Sequence, residues 1–98
     1  MNKEVILNIL KAEKPNLERD FFIQQLGLFG SFVSETQTAK SDVDIAYEMK
    51  QGHYLGFDDK VKLQGYLKTK LNRKIDLVPL KYMNPAIRIK VDSQIIYV

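Results

Sequence analysis

The chain has no cysteine and no tryptophan, a single histidine, three prolines and five glycines in 98 residues. Without cysteine it can form no disulfide, no thiolate metal site and no cysteine nucleophile. One histidine, His53, excludes multi-histidine zinc sites, and it leaves any serine-histidine-aspartate triad dependent on a residue in the loop Gln51-Gly52-His53. Long apolar runs are missing as well. The stretch Val5 to Leu10 is interrupted by Asn8, and nothing approaches the ~18 residues of a membrane span. No secretion signal stands out, so a cytoplasmic protein without membrane attachment is expected. The chain is also short, and 98 residues support one core, hence a single domain over residues 1–98.

The hydrophobic fraction of 45% and the charged fraction of 28% match a folded globular domain and argue against disorder, collagen or coiled coil. The net charge of +3 is modest but unevenly spread. Between Lys68 and Lys90 lie Lys68, Lys70, Arg73, Lys74, Lys81, Arg88 and Lys90 against the lone acid Asp76. Such a stretch is most simply a solvated face. It also suits attraction of an anion: a nucleoside triphosphate, a nucleic acid or an acidic protein surface.

Apolar residues Val5, Ile6, Ile9 and Leu10 fall at helical spacing, and Lys14-Pro15 supplies a stop, which predicts a helix over residues 2–13 and a separate turn over 15–20. Phe21 to Phe29 reads as a buried strand ending at Gly30-Ser31. Residues 32–41 are polar and short-sided, a loop with at most two helical turns. Val43 to Met49 reads as a strand on which Asp42, Asp44 and Ala46 share one face, because side chains alternate along a strand. Phe57, Val61, Leu67 and Leu71 suggest a helix over 55–71, with Asp58 and Asp59 in a first turn that favours negative charge. Lys74 to Leu80 reads as a strand carrying Asp76 among Ile75, Leu77 and Val78. Asn84-Pro85 opens a short helix to Asp92 ahead of a last strand at 95–98. Tyr47, Tyr54, Tyr66 and Tyr82 fit core-edge or surface positions. The element order predicts an α/β (α+β) domain, a small mixed β-sheet flanked by helices.

The informative signal is Gly30-Ser31, ten residues, Asp42-Val43-Asp44, and a third acid, Asp76, on a later strand. Glycine after a strand lets the backbone approach a ligand, and the amides and hydroxyl beyond it can donate to phosphate oxygens. Carboxylates two apart on one strand face can hold a hard divalent cation such as magnesium, which keeps waters and substrate phosphates in its shell. Two such ions would clamp the attacking and leaving oxygens of an in-line displacement at phosphorus. Four fixed residues at about 6% usage each match a chain of this length by accident roughly once in a thousand. The P-loop pattern closing in Gly-Lys-Ser/Thr is absent, as is a dinucleotide-binding glycine triplet.

At these residues the chain resembles the minimal nucleotidyltransferase family, related to the catalytic core of DNA polymerase β. Leu28-Phe29-Gly30-Ser31 is similar to the family's nucleotide-binding start, Ser41-Asp42-Val43-Asp44-Ile45 to its metal-binding strand, and Arg73-Lys74-Ile75-Asp76-Leu77-Val78 to its third-carboxylate strand. Pro85-Ala86-Ile87-Arg88 and Ile96-Tyr97-Val98 resemble the family's ending. The resemblance implies a nucleotidyltransferase fold in which Gly30, Ser31 and Ser41 bind the nucleotide, and Asp42, Asp44 and Asp76 bind two Mg2+ ions. Asp76 would also help activate an attacking hydroxyl. The implied reaction moves AMP from ATP to a hydroxyl, with pyrophosphate leaving. Many members pair with a HEPN-domain toxin, a ribonuclease, and neutralise it by binding or by adenylylating its tyrosine.

One departure stands out. The family's Gly-Ser-x-Ala-Arg-Gly is here Gly30-Ser31-Phe32-Val33-Ser34-Glu35, so the arginine and the second glycine are missing. Ser34 cannot offer the triphosphate a fixed positive charge, and Lys40 or Lys74 would have to compensate. A magnesium-dependent adenylyltransferase acting on a partner protein is therefore the first expectation. The alternatives are an antitoxin that works by occlusion with little catalysis, and a nucleic-acid-binding accessory protein drawing on the basic stretch.

Overall fold

A computed structural model describes residues 1–98. Nine elements follow one another along the chain: α1 Lys3–Phe21, β1 Ile23–Phe29, α2 Ser31–Ser34, β2 Val43–Met49, α3 Phe57–Leu71, β3 Ile75–Pro79, a 3-10 turn Leu80–Tyr82, α4 Pro85–Asp92 and β4 Ile96–Tyr97. The strands form one mixed sheet in the order β3-β2-β1-β4. β1 runs antiparallel to both β2 and β4, whereas β2 and β3 are parallel and joined by the crossover through α3. No helix is long and apolar enough to cross a membrane.

Alternation along β1 to β3 decides how the sheet is covered. Val43, Ile45 and Tyr47 of β2, Leu26 and Leu28 of β1 and Ile75 and Leu77 of β3 are buried with Ile6, Leu10 and Leu17 of α1 and Leu63, Leu67 and Leu71 of α3. On β2 the alternate residues face elsewhere: Ala46 belongs to a small second cluster with Leu80 and Val91, and Asp44 is left half-buried. Asp76 likewise sits exposed between buried Ile75 and Leu77, so its charge within an apolar run costs no burial.

The first helix departs from expectation. Instead of stopping at Lys14, α1 runs unbroken through Pro15 for 19 residues. Proline removes one helical hydrogen bond and crowds the preceding turn, roughly 3 kcal/mol in a helix interior. Continuing the helix carries Leu17, fully buried, onto the same face as Ile6 and Leu10, which offsets that loss. Val5, expected in the apolar stripe, is 42% exposed, and Phe21 closes the helix rather than opening the strand.

In α3 the buried face also differs from the expected stripe. Phe57 and Val61 are 80% and 51% exposed, while Leu63, Leu67 and Leu71 form the buried face at regular four-residue spacing. Val61 lies two residues from Leu63, about 200° around the helix, and so points away from the sheet. Asp58 and Asp59 occupy the first turn as expected, and Asn84 caps α4 by accepting the Ala86 N–H. Tyr47 is buried, Tyr54 and Tyr82 are exposed, and Tyr66 donates its hydroxyl to Glu13 across the α1–α3 contact.

Candidate active site

The end of the sheet where β2 begins brings the predicted acids together. Asp44 pairs in register with Phe29 on β1 and with Asp76 on β3, so neighbouring strands present Asp44 and Asp76 side by side. Asp42 lies two residues before Asp44, just outside β2, and Val43 between them faces the core. Gly30 follows Phe29 directly and adopts φ +80°, ψ −151°, a backbone shape essentially reserved for glycine. A Cβ at Gly30 would collide with the Asp44 carboxylate and lie 2.9 Å from its Cγ. The chain thus bends around that carboxylate and enters α2 at Ser31.

Electrostatics record the crowding. Partial burial, then the charges of Asp76 and Asp42, push the Asp44 carboxyl up to about 6 from its usual 3.8. None of the three acids joins an ion pair with a lysine or arginine. Oxygen-only donors with no paired lysine or arginine suit a hard divalent ion. No three acidic side chains close into a ready-made coordination shell. An ion bound here would complete its shell with water and phosphate oxygens, as magnesium characteristically does.

The polar residues around the acids are committed in different ways. The Gly30 N–H donates to Gln94 Oε1 at 2.7 Å, fastening the bend to the segment after α4. Ser41 Oγ accepts the Thr38 N–H at 2.8 Å and lies 3.4 Å from Thr38 Oγ1, so it shapes the loop ahead of β2. Arg73 donates from Nη1 to the carbonyls of Ala39 at 3.1 Å and Ser41 at 3.3 Å, and its guanidinium carbon lies 5.1 Å from the centre of the Phe32 ring in α2. Lys40 and Lys74 are both exposed and line, with Ser41, Asp42 and Arg73, a cavity of about 440 Å³. A larger cavity of about 930 Å³ lies at the other end of β2, bounded by Tyr47, His53, Tyr54 and Tyr82, and reaches none of the predicted site residues. His53 stacks there on Phe22, ring centres 4.0 Å apart.

Gln94 and Arg73 belong to the site although the sequence does not single them out for it. Gln94 carries no local signal, because its partner is 64 positions away. Arg73 stands in the basic stretch and close to Asp76, which is the one available clue.

The departure from the family motif also has a visible cost. Glu35, in the place of the second glycine, ends α2 in the left-handed region at φ +60°. A side chain there is strained by roughly 1–2 kcal/mol, partly balanced by the greater freedom of an unfolded glycine. Glu35→Gly is expected to raise stability by about 0.5 kcal/mol, seen as a melting temperature ~2–4 °C higher. An unchanged or lower melting temperature would show that the Lys3–Glu35 ion pair at 3.9 Å outweighs the strain.

Comparison with known proteins bears on the fold and the family. Residues 6–98 match the family described as polymerase beta, nucleotidyltransferase. The protein adenylyltransferase MntA of Thermococcus cleftensis is 32% identical over 96 residues, covering 97% of this chain and 94% of that protein. A chain of a toxin-antitoxin crystal structure with AMP-PNP superposes with a TM-score of 0.69 at 27% identity, covering 99% of this chain and 72% of that one. A chain of the complex between a tri-AMPylated Shewanella oneidensis HEPN toxin and its MNT antitoxin gives a TM-score of 0.66 at 25% identity, covering 95% of this chain and 70% of that one. The glycine bend seated on Asp44, the in-register Asp76 and a family match spanning nearly the whole length lead to one conclusion: the chain belongs to the polymerase beta nucleotidyltransferase family.

Proposed function

We propose that this protein is a magnesium-dependent adenylyltransferase that moves AMP from ATP to a hydroxyl of a HEPN-domain toxin, with tyrosine as the acceptor, and so acts in the cytoplasm as the antitoxin of a pair. The observation that carries this reading is the placement of Asp44 in register with Asp76 and against the Gly30 bend. Relatives support AMP transfer and a HEPN-domain partner: the Thermococcus cleftensis protein is a protein adenylyltransferase, and the superposing Shewanella oneidensis complex holds an AMPylated HEPN toxin.

In the reaction, the acceptor hydroxyl oxygen bonds to the α-phosphorus of ATP as the bond from that phosphorus to the β-phosphate's bridging oxygen breaks. Pyrophosphate departs and the hydroxyl proton passes to a carboxylate. In this reading Asp76, exposed at the sheet surface, takes it from an acceptor arriving from solvent. The Ser31 amide and hydroxyl hold the triphosphate at the start of α2, where Gly30 lets the backbone come close, and Ser41 turns its hydroxyl to it. Magnesium held by Asp42, Asp44 and Asp76 would neutralise charge on the phosphates and the leaving pyrophosphate. Asp76 opens to solvent and the larger cavity lies away from it, so the acceptor hydroxyl is best supplied by a second protein.

The missing arginine favours a second reading, in which the protein silences its partner by occlusion alone. Intact-mass analysis of a co-expressed HEPN partner separates the two. The adenylyltransferase reading expects one or more added AMP groups on the partner, lost when Asp42 and Asp44 are both changed to asparagine, together with loss of protection from the toxin. Full protection by that double variant, with an unmodified partner, would establish occlusion.

A further inference from the structure

We infer that Arg73 is the positioning residue of this active site, the side chain that holds Asp42 on the same face as Asp44; the inference rests on the function proposed above. The backbone ladder between β2 and β3 ends where the Val43 N–H donates to the Lys74 carbonyl at 2.9 Å. Upstream of Val43 the backbone leaves the sheet in a turn at Ala39-Lys40, closed by the Ser41 N–H donating to the Thr38 carbonyl at 3.1 Å, and the carbonyls of Ala39 and Ser41 both accept from Arg73 Nη1. The guanidinium therefore takes over where the backbone ladder stops, tying that turn to the start of β3 and fixing the direction in which residues 41–43 enter β2. Alternation then places Asp42 and Asp44 together, with Val43 buried between them.

The same group reaches the other half of the site. It lies over the ring of Phe32, which is fully buried and directly follows Ser31 in α2. One side chain thus ties the approach to β2, the start of β3 and the helix that begins at the nucleotide-binding bend. No acidic side chain pairs with it, so its role is that of a clamp on carbonyls and a π face, not of an ion pair. Lysine at this position would keep the charge but not the role. Its ammonium is a compact, strongly hydrated point that water draws away from the ring and the carbonyls.

The test uses the full chain and its Arg73→Lys and Arg73→Ala variants, read two ways. In the nucleotide-free protein, amide exchange at residues 41–43 is expected to quicken about tenfold or more in both variants, while the buried strand β1 keeps its protection. In AMP transfer, Arg73→Lys is expected to raise KM for ATP about tenfold with a smaller change in kcat, because the phosphate-binding geometry loosens before the chemistry does. A merely structural role would instead lower the melting temperature and speed exchange throughout, leaving KM unmoved. That pattern, or parent-like exchange and KM in Arg73→Lys, would overturn the inference. If the parent itself transfers no AMP, the proposed function fails, and amide exchange at residues 41–43 still decides whether the clamp exists.

Discussion

Asp44→Asn is expected to abolish AMP transfer and, at pH 7, to make the protein more stable. The activity loss is at least about a thousandfold, because a carboxylate that holds a catalytic divalent ion contributes several kcal/mol to charge stabilisation in the transition state. The stability gain follows from the acid's surroundings. Burial, Asp76 and Asp42 together raise the Asp44 carboxyl to about 6, so the folded state binds its proton more tightly than the unfolded chain does. Stability from this group is complete below the ordinary value of 3.8 and is lost as pH rises through about 6. Asparagine never ionises and escapes that loss. A carboxyl raised this far at a fully buried position would weaken the fold by roughly 3 kcal/mol once ionised, and solvent screening of this half-exposed one leaves about 1 kcal/mol. Melting curves should place Asp44→Asn ~4–8 °C above the parent at pH 7.5, with the gap closing by pH 4. A variant less stable than the parent at pH 7.5 would mean that the carboxylate is stabilised by its neighbours rather than crowded by them.

Gly30→Ala carries the second large effect, and it acts on folding and function together. At φ +80° and ψ −151° the added methyl is strained wherever it points, and here it points into the Asp44 carboxylate. The combined cost is about 2–4 kcal/mol, a fall in melting temperature of roughly ten degrees or more, with AMP transfer lost because Asp44 must move. Gly52→Ala supplies the comparison. Gly52 has nearly the same φ, +83°, but a Cβ there meets nothing within 4 Å, so only backbone strain of about 1 kcal/mol is expected. Equal destabilisation of the two variants would show that the Asp44 contact costs nothing.

Much of this site was legible in the sequence because its signals are local. Val43 to Met49 alternates so regularly that its strand limits and the shared face of Asp44 and Ala46 could be read directly, and Asn84-Pro85 marks a helix start on its own. Gly30-Ser31 and Asp76 gain meaning from the family resemblance, and the sheet register then sets Asp76 beside Asp44. What escaped depends on contacts distant in sequence. Pro15 reads as a stop until Leu17 is seen to find a buried place on the α1 face. The true face of α3 is set by the sheet that packs on Leu63 and Leu67, and nothing within the helix distinguishes it from one beginning at Phe57. Arg73 and Gln94 act on segments 32 and 64 positions away, Ser41 and Gly30 respectively, and no local pattern carries such a pairing.

Under the proposed function, Asp42, Asp44 and Asp76 beside the Gly30 bend transfer a nucleotide group rather than a terminal phosphate. Incubation of the protein and its proposed HEPN partner with magnesium and ATP labelled at either the α- or the γ-phosphate is the decisive test. Label is expected on the partner from α-labelled ATP only, with the γ-label released as pyrophosphate, and no label from either when Asp42 and Asp44 are both asparagine. Transfer of the γ-label, or α-label that survives the double substitution, would contradict it.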